Sequence, residues 1–375
     1  MRAATALVAV LSCGLLAACS GGTPRDGGSP ATQSGTASDS QSPSESNPTS
    51  TPSGGTADQP AKVTPQDDPL RWKKAPGAVT DTITVGDHGT LTVTADASRA
   101  TLAGDQSATV DADAGFRVTD ALMNDSYAVV VTGDRQEQKP ARATVVDLAS
   151  GNQFVVDGDS EAATVNGGSW ALGNGQLEHP TLGPKRAYCL ATVDLATQSS
   201  DVGWCAPART GFTHVQVGPG GVSLMAFDDA RPSCRTVAEV TDGELTPFPG
   251  VTECTGWEGV ALDGGRVWSV IPNERRIERA HFYASVGDGY FDLGMGDSGT
   301  LTTCDGAAYF NRAPERDRDP AQVLRWTTDG RLSVVYATET GGEAFVSGTA
   351  RCGGHHLTVT ALTSKGDSQV TAATS

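Results

Sequence analysis

The side chains able to do chemistry in this 375-residue chain are scattered, and most of them sit beside glycine. Asp87-His88, Asp125, Asp263, Asp305 and His355-His356 all fall in Gly/Asp/Asn-rich turns. Carboxylates and imidazoles there could hold a cation or move protons, but no spacing singles out one set. His355 and His356 are adjacent, so on a strand they point to opposite faces and cannot chelate one ion together. Asp111-Ala112-Asp113 and Asp157-Gly158-Asp159 fall short of a calcium loop and read as solvated turns. No G-x-S-x-G, H-E-x-x-H, Walker or dinucleotide pattern occurs. The sequence therefore assigns no catalytic residue, no metal site and no cofactor.

Gly296-Asp297-Ser298-Gly299 resembles the nucleophile motif of chymotrypsin-like serine proteases. Thr300 replaces the next glycine, and no histidine stands upstream in an Ala-Ala-His-Cys setting, so the resemblance stops there. Trp170, Trp204, Trp257, Trp268 and Trp326 lie on expected strands or their ends and read as core.

The chain carries 27 Lys+Arg against 44 Asp+Glu, a net charge of −17, which argues against a nucleic-acid binder. Its N-terminus is basic at Met1-Arg2 and then small and apolar from Ala3 to Ala18. That run is short for a membrane span and right for a signal-peptide core. Leu16-Ala17-Ala18-Cys19 ends it, and Ser20-Gly21-Gly22 follows. This resembles the lipobox of bacterial lipoproteins, and the excess of Arg over Lys resembles GC-rich, actinobacterial proteomes. The resemblance implies that 1–18 is removed, that Cys19 carries the lipid, and that the chain is held at the extracytoplasmic face of the cell membrane. Residues 20–66 are rich in Ser, Thr, Gly and Pro without apolar periodicity, so they read as a disordered stalk. As a flexible coil this linker would span roughly 35–42 Å.

From residue 67 to 375 the pattern is all-β. One unit recurs: a strand, a tight Gly/Asp turn, a more apolar strand, a variable loop and a hairpin. The turn and apolar strand read Gly86-Asp87-His88-Gly89 into Leu91, Asn124-Asp125-Ser126 into Tyr127, and Asn166-Gly167-Gly168 into Trp170. They continue as Gly218-Pro219-Gly220-Gly221 into Val222, Asp263-Gly264-Gly265 into Val267, Cys304-Asp305-Gly306 into Ala307, and Cys352-Gly353-Gly354 into Leu357. Hairpins turn at Ser150-Gly151-Asn152, Asp242-Gly243 and Asp329-Gly330. Four short strands in about 40–45 residues is the repeat of a β-propeller blade, and 67–375 resembles β-propeller proteins. Seven blades fit, with six or eight open. The last unit ends after two strands, so ring closure needs a strand from the N-terminal side, between Lys62 and Val79.

Six cysteines remain once Cys13 and Cys19 are set aside, an even number that suits disulfides in an exported protein. Cys189 with Cys205, and Cys234 with Cys254, are symmetric about expected hairpin turns. Cys304 and Cys352 occupy equivalent places in units six and seven and would clip neighbouring blades.

The variable loops differ in charge from everything else. Six of them (133–143, 173–188, 228–235, 272–280, 311–321 and 363–368) hold 14 Lys/Arg and 11 Asp/Glu, a net of +3, while the rest of 67–375 carries −19. In a propeller these loops share one face. Arg275, Arg276, Arg279, Arg312, Arg316 and Arg318 would be neighbours there, with Lys185 and Arg186 on the same rim. They form a candidate docking face for an anionic envelope polymer, lipid headgroup or acidic protein; the plainer alternative is that the loops are only solvated. Two functional readings stand. One is a membrane-tethered, non-catalytic binding or scaffold module of the cell envelope. The other is an extracellular enzyme with its site in the propeller funnel: a lyase, a hydrolase or a quinone-dependent dehydrogenase.

Overall fold

The computed structural model describes residues 54–375, apart from 137, 158–169, 229 and 340–343. The expected signal segment 1–18, Cys19 and the stalk up to 53 lie outside the described residues, as does the Asn166-Gly167-Gly168 turn. The described chain is all-β and forms a seven-bladed β-propeller. Blades 1 to 6 span 82–111, 116–157, 171–205, 210–247, 256–297 and 302–337. Blade 7 combines 351–373 with Lys73–Lys74 from the N-terminal side.

Burial explains why the second strand of a blade can be strongly apolar. In blade 2 this strand, Tyr127–Asp134, packs between two neighbours and is buried on both faces. Ala128 and Val130 join Leu91 and Leu102 of blade 1, whereas Val129 and Val131 join Trp170 and Leu177 of blade 3. Alternate side chains therefore feed two different cores, and a continuous apolar run results. Each such fully buried valine contributes about 1.5–3 kcal/mol. The cores between blades 5 and 6 and between blades 6 and 7 repeat the scheme around Phe282, Phe310 and Trp326, and around Tyr309 and Val359.

Blade 3 corrects the expected register. Trp170 to Leu172 opens the inner strand (Ala171–Gly173), not the second. The tight turn is Asn174-Gly175, with φ of +52° and +75°, a left-handed pair that suits Asn-Gly in a hairpin. The second strand is Gln176–Leu182. Glu178, His179 and Pro180 interrupt its apolar pattern, which hid it in the sequence.

Closure is by an N-terminal strap. Ala61–Lys62 pairs parallel to the outer strand of blade 5, and Gln66–Asp67 parallel to the outer strand of blade 6. Lys73–Lys74 then pairs antiparallel with Thr371 and Val370 and becomes the outer strand of blade 7. Trp72 Nε1 donates to Val335 O at 2.7 Å, and Leu70 and Trp72 pack on the core between blades 6 and 7. The strand required for closure is thus present within 62–79. Within the described residues the strap reaches back to Gly55, which bridges Tyr290, so the expected stalk overlaps the folded region over 55–66. Much of its hold comes from main-chain hydrogen bonds, which leave no apolar rhythm to read.

Three disulfides are present among the described residues. Cys189–Cys205 joins directly opposed residues of the third and outer strands of blade 3. Cys234–Cys254 links the third strand of blade 4 to the connection beyond its outer strand, because the outer strand stops at Pro247. Cys304–Cys352 ties the inner strands of blades 6 and 7, with Cα atoms 5.4 Å apart.

Candidate functional site

Strands alternate in direction within a blade, so the two tight turns of each blade emerge on one face and the second-to-third-strand loops on the other. The inner strands enclose a funnel of about 700 Å³ whose lining reaches from Glu258 and His214 to Asp125 and His355 at the turn face.

The turns gather most of the carboxylates and imidazoles that sequence left unordered. Asp305 Oδ1 accepts His355 Nδ1–H at 3.1 Å, and His355 Nε2 stands 3.4 Å from Asp125 Oδ2. His356 Nδ1 lies 3.2 Å from Asp87 Oδ1. Ligand atoms of Asp87, Asp125 and His355 all fall within 4.8 Å of one another. Four blades contribute: 1, 2, 6 and 7. Local structure fixes each group. Asn124 Oδ1 accepts the Ser126 and Tyr127 N–H groups and so shapes the turn that presents Asp125. Thr374 Oγ1 sits 3.1 Å from Asp305 Oδ2 and 2.9 Å from His355 O. The hydrogen bond to Asp305, and then the Asp125 and Asp305 charges, raise the His355 pKa above its ordinary value. His355 lies beside Asp125 and Asp305, and His356 beside Asp87. His88 instead pairs with Asp105 at 3.0 Å, and Asp263 is not part of the cluster.

Deeper in the funnel lie groups that no motif signalled. Asp120 is pushed up to about 6 by burial, against the opposing charge of Arg351. Burial lowers Arg351 in turn. His214 has φ of +52° at a bulge in the inner strand of blade 4, and its Nδ1 donates to Trp257 O at 2.9 Å. A bulge of this kind re-aims a side chain out of the sheet pattern. Glu258 is buried in blade 5 and accepts the Gly299 and Leu301 N–H groups of the connection from blade 5 to blade 6 at 2.8 and 3.0 Å. Burial raises its pKa, against those hydrogen bonds and His214. Asp120, His214 and Glu258 sit on inner strands interrupted by bulges, and Arg351 on an inner strand of two residues, where alternation is hardest to read. Ser298 donates its hydroxyl to Ile277 O, a backbone partner, so it is not placed as a triad serine. Trp268 and Trp326 are core, Trp170 stacks on His179, and Trp257 is half-buried under the Arg235 guanidinium.

The opposite, loop face brings blades 5 and 6 together. Arg275 and Arg276 are exposed in a turn shaped by Asn273, whose Oδ1 accepts Arg275 N–H at 3.0 Å. Arg276 and Arg279 line a pocket of about 370 Å³ with Pro272, Asn273, Met295 and Glu315. The Arg279 Nε is buried there without a hydrogen-bond partner. Arg316 and Arg318 are exposed on the adjoining loop. Arg312 differs: its guanidinium donates to Met295 O and Leu293 O at 2.8 and 2.9 Å, so it ties blade 6 to blade 5 and is not free to dock. Lys185 and Arg186 occupy the loop of blade 3, on the same face but not beside blades 5 and 6. Elsewhere on this face cations are paired, Arg231 with Asp228 and Glu253, and Lys365 with Glu339. Among the described residues, Lys185, Arg186, Arg275, Arg276, Arg279, Arg316 and Arg318 form no ion pair.

No family model matches the chain, and no curated protein matches it. Solved structures do. A prolyl endopeptidase is similar at 12% identity and a TM-score of 0.50, covering 78% of this chain and 50% of that one. The chain therefore spans about half the length of that peptidase. The β-propeller domain of the Trilobed protease from Pyrococcus furiosus is similar at 10% identity and a TM-score of 0.35, over 70% of this chain and 94% of that one. At such identities the likeness shows the propeller fold alone.

Proposed function

We propose that this chain is a membrane-tethered, non-catalytic binding module of the bacterial cell envelope, which docks an anionic partner through the loop face of blades 5 and 6. The observation that carries the reading is the pocket walled by Arg276 and Arg279, flanked by exposed Arg275, Arg316 and Arg318. Unpaired guanidiniums around a concavity suit carboxylate or phosphate groups of a wall polymer or an acidic protein. The lipobox reading supports the tether: Cys19 would carry the lipid, and 20–53 would give the reach.

The test is co-sedimentation of the full chain with purified envelope. Arg275→Ala, Arg276→Ala and Arg316→Ala together should weaken binding at least tenfold. The thermal midpoint should not move, because exposed charges contribute little to folding. Wild-type binding should also weaken as salt rises, since exposed charges are screened over about 8 Å at physiological ionic strength. Undiminished binding by the triple variant at low salt sinks the proposal. Asp263→Asn is the control on the opposite face.

A second reading, an enzyme acting in the funnel, draws on Asp120, whose pKa of about 6 inside a cavity suits proton transfer near neutrality. Turnover of an envelope carbohydrate or peptide that disappears in Asp120→Asn would favour it.

A further inference from the structure

At the funnel mouth, His355 stands between two carboxylates. Asp305 Oδ1 accepts the Nδ1 hydrogen of this imidazole at 3.1 Å. The other ring nitrogen, Nε2, faces the Asp125 carboxylate at 3.4 Å. A proton on Nε2 makes this contact an ion pair, and a cation held between the same groups would take that proton's place. Asp87 brings a second carboxylate to the same spot, its ligand atom within 4.8 Å of both others. One imidazole nitrogen and two carboxylate oxygens around a common point form a cation-ligand set. For metal–ligand bonds of about 2.0–2.2 Å, donors sharing one ion stand roughly 3–4 Å apart. Small rotations of exposed turn side chains close the remaining gap.

We propose that Asp87, Asp125 and His355 bind one divalent cation of the Zn²⁺ or Mn²⁺ class at the mouth of the funnel. A mixed nitrogen and carboxylate set suits these ions better than Ca²⁺, which takes six to eight oxygens. The surroundings have the form of a ligand-orienting shell. Asp305 holds the His355 tautomer with Nε2 turned inward, and Thr374 Oγ1 buttresses Asp305 from its other oxygen at 3.1 Å. His356 Nδ1 flanks Asp87 at 3.2 Å. Asp125 and His355 both line the 700 Å³ funnel, so the positions that protein does not fill open onto that cavity. An ion there would close one end of the funnel with a positive charge and coordinate an oxygen ligand inside it. Chain spacing could not show the set, since its members come from blades 1, 2 and 7.

The experiment is calorimetric titration of the full-length protein, purified in detergent and stripped with EDTA, with Zn²⁺ and separately with Mn²⁺ and Ca²⁺. One site per chain is expected for Zn²⁺ or Mn²⁺, with Ca²⁺ at least tenfold weaker. His355→Ala, and independently Asp87→Asn with Asp125→Asn, should each weaken that site at least a hundredfold. Asp305→Asn should weaken it about 10–100-fold through lost orientation. Wild type should gain several degrees in thermal midpoint with the ion, and the ligand variants should gain none. Melting of the metal-free variants, unchanged from wild type, establishes that they fold. Absence of any one-to-one Zn²⁺ or Mn²⁺ site in wild type, or equal affinity in His355→Ala, overturns the proposal.

Discussion

Replacing Glu178 by glutamine should stabilise this protein at neutral and alkaline pH and leave it unchanged in acid. Glu178 is 1% exposed, and its Oε2 accepts the Thr192 hydroxyl at 2.9 Å. In register it lies between Ala171 and Thr192. Burial raises its carboxyl from 4.5 to about 7, with the Thr192 hydrogen bond acting the other way. In the unfolded chain the group ionises near 4.3. Between those values the folded state keeps a proton that the unfolded state has released, so stability falls as pH rises and levels off above about 7. A carboxyl raised that far corresponds to about 4 kcal/mol, an upper value for the loss at pH 8. Glutamine keeps the shape and the acceptor for Thr192 and never charges. Urea unfolding at intervals from pH 4.5 to pH 8 should therefore show wild type and Glu178→Gln equal at the acid end. The variant should lead by up to about 4 kcal/mol at the other. Asp120, with its own pKa of about 6, titrates in both proteins and cancels from the difference. A difference that stays constant with pH, or a variant less stable at pH 8, refutes the reasoning.

Three further outcomes are expected. Removing Cys304–Cys352 by paired serine substitution should cost about 4 kcal/mol, from a loop of 48 residues, against about 3 kcal/mol for Cys189–Cys205 with 16. Urea midpoints of the two double variants give the ranking, and the reverse order contradicts the loop-length account. Trp72→Ala should cost about 2–3 kcal/mol, less than a fully buried tryptophan, and should open the strap to protease between 54 and 74. A loss under about 0.5 kcal/mol, within the range of ordinary surface changes, would mean the strap does not hold the ring closed. Cys19→Ala should abolish incorporation of a fatty-acid analogue, and equal labelling would remove the tether.

What the sequence conveyed depended on local chemistry. Asp242-Gly243 and Asp305-Gly306 adopt paired left-handed conformations, and such turns announce themselves by composition. The apolar second strands were legible because burial on two faces demands unbroken runs such as Tyr127 to Val131. Blade 3 was misread where Glu178, His179 and Pro180 replace that signal, although Asn174-Gly175 carried the turn. The start of the strap was missed because Ala61–Lys62 and Gln66–Asp67 add to sheet edges by backbone pairing. The turn-face cluster was half legible. Its members were named, but only closure of the ring brings Asp87 and Asp125 to His355 across more than 200 positions of chain. Arg312 shows the converse: charge in a loop suggested docking, whereas its guanidinium caps carbonyls of the next blade.

Hydrogen exchange of the full chain, with and without purified anionic envelope polymer, tests the docking claim most directly. The account predicts new protection at 273–279 and 313–320, the two loops that frame the Arg276–Arg279 pocket, fading as salt is raised. Protection confined to the turns at 86–89, 124–126 and 353–356, or none on either face, would contradict it.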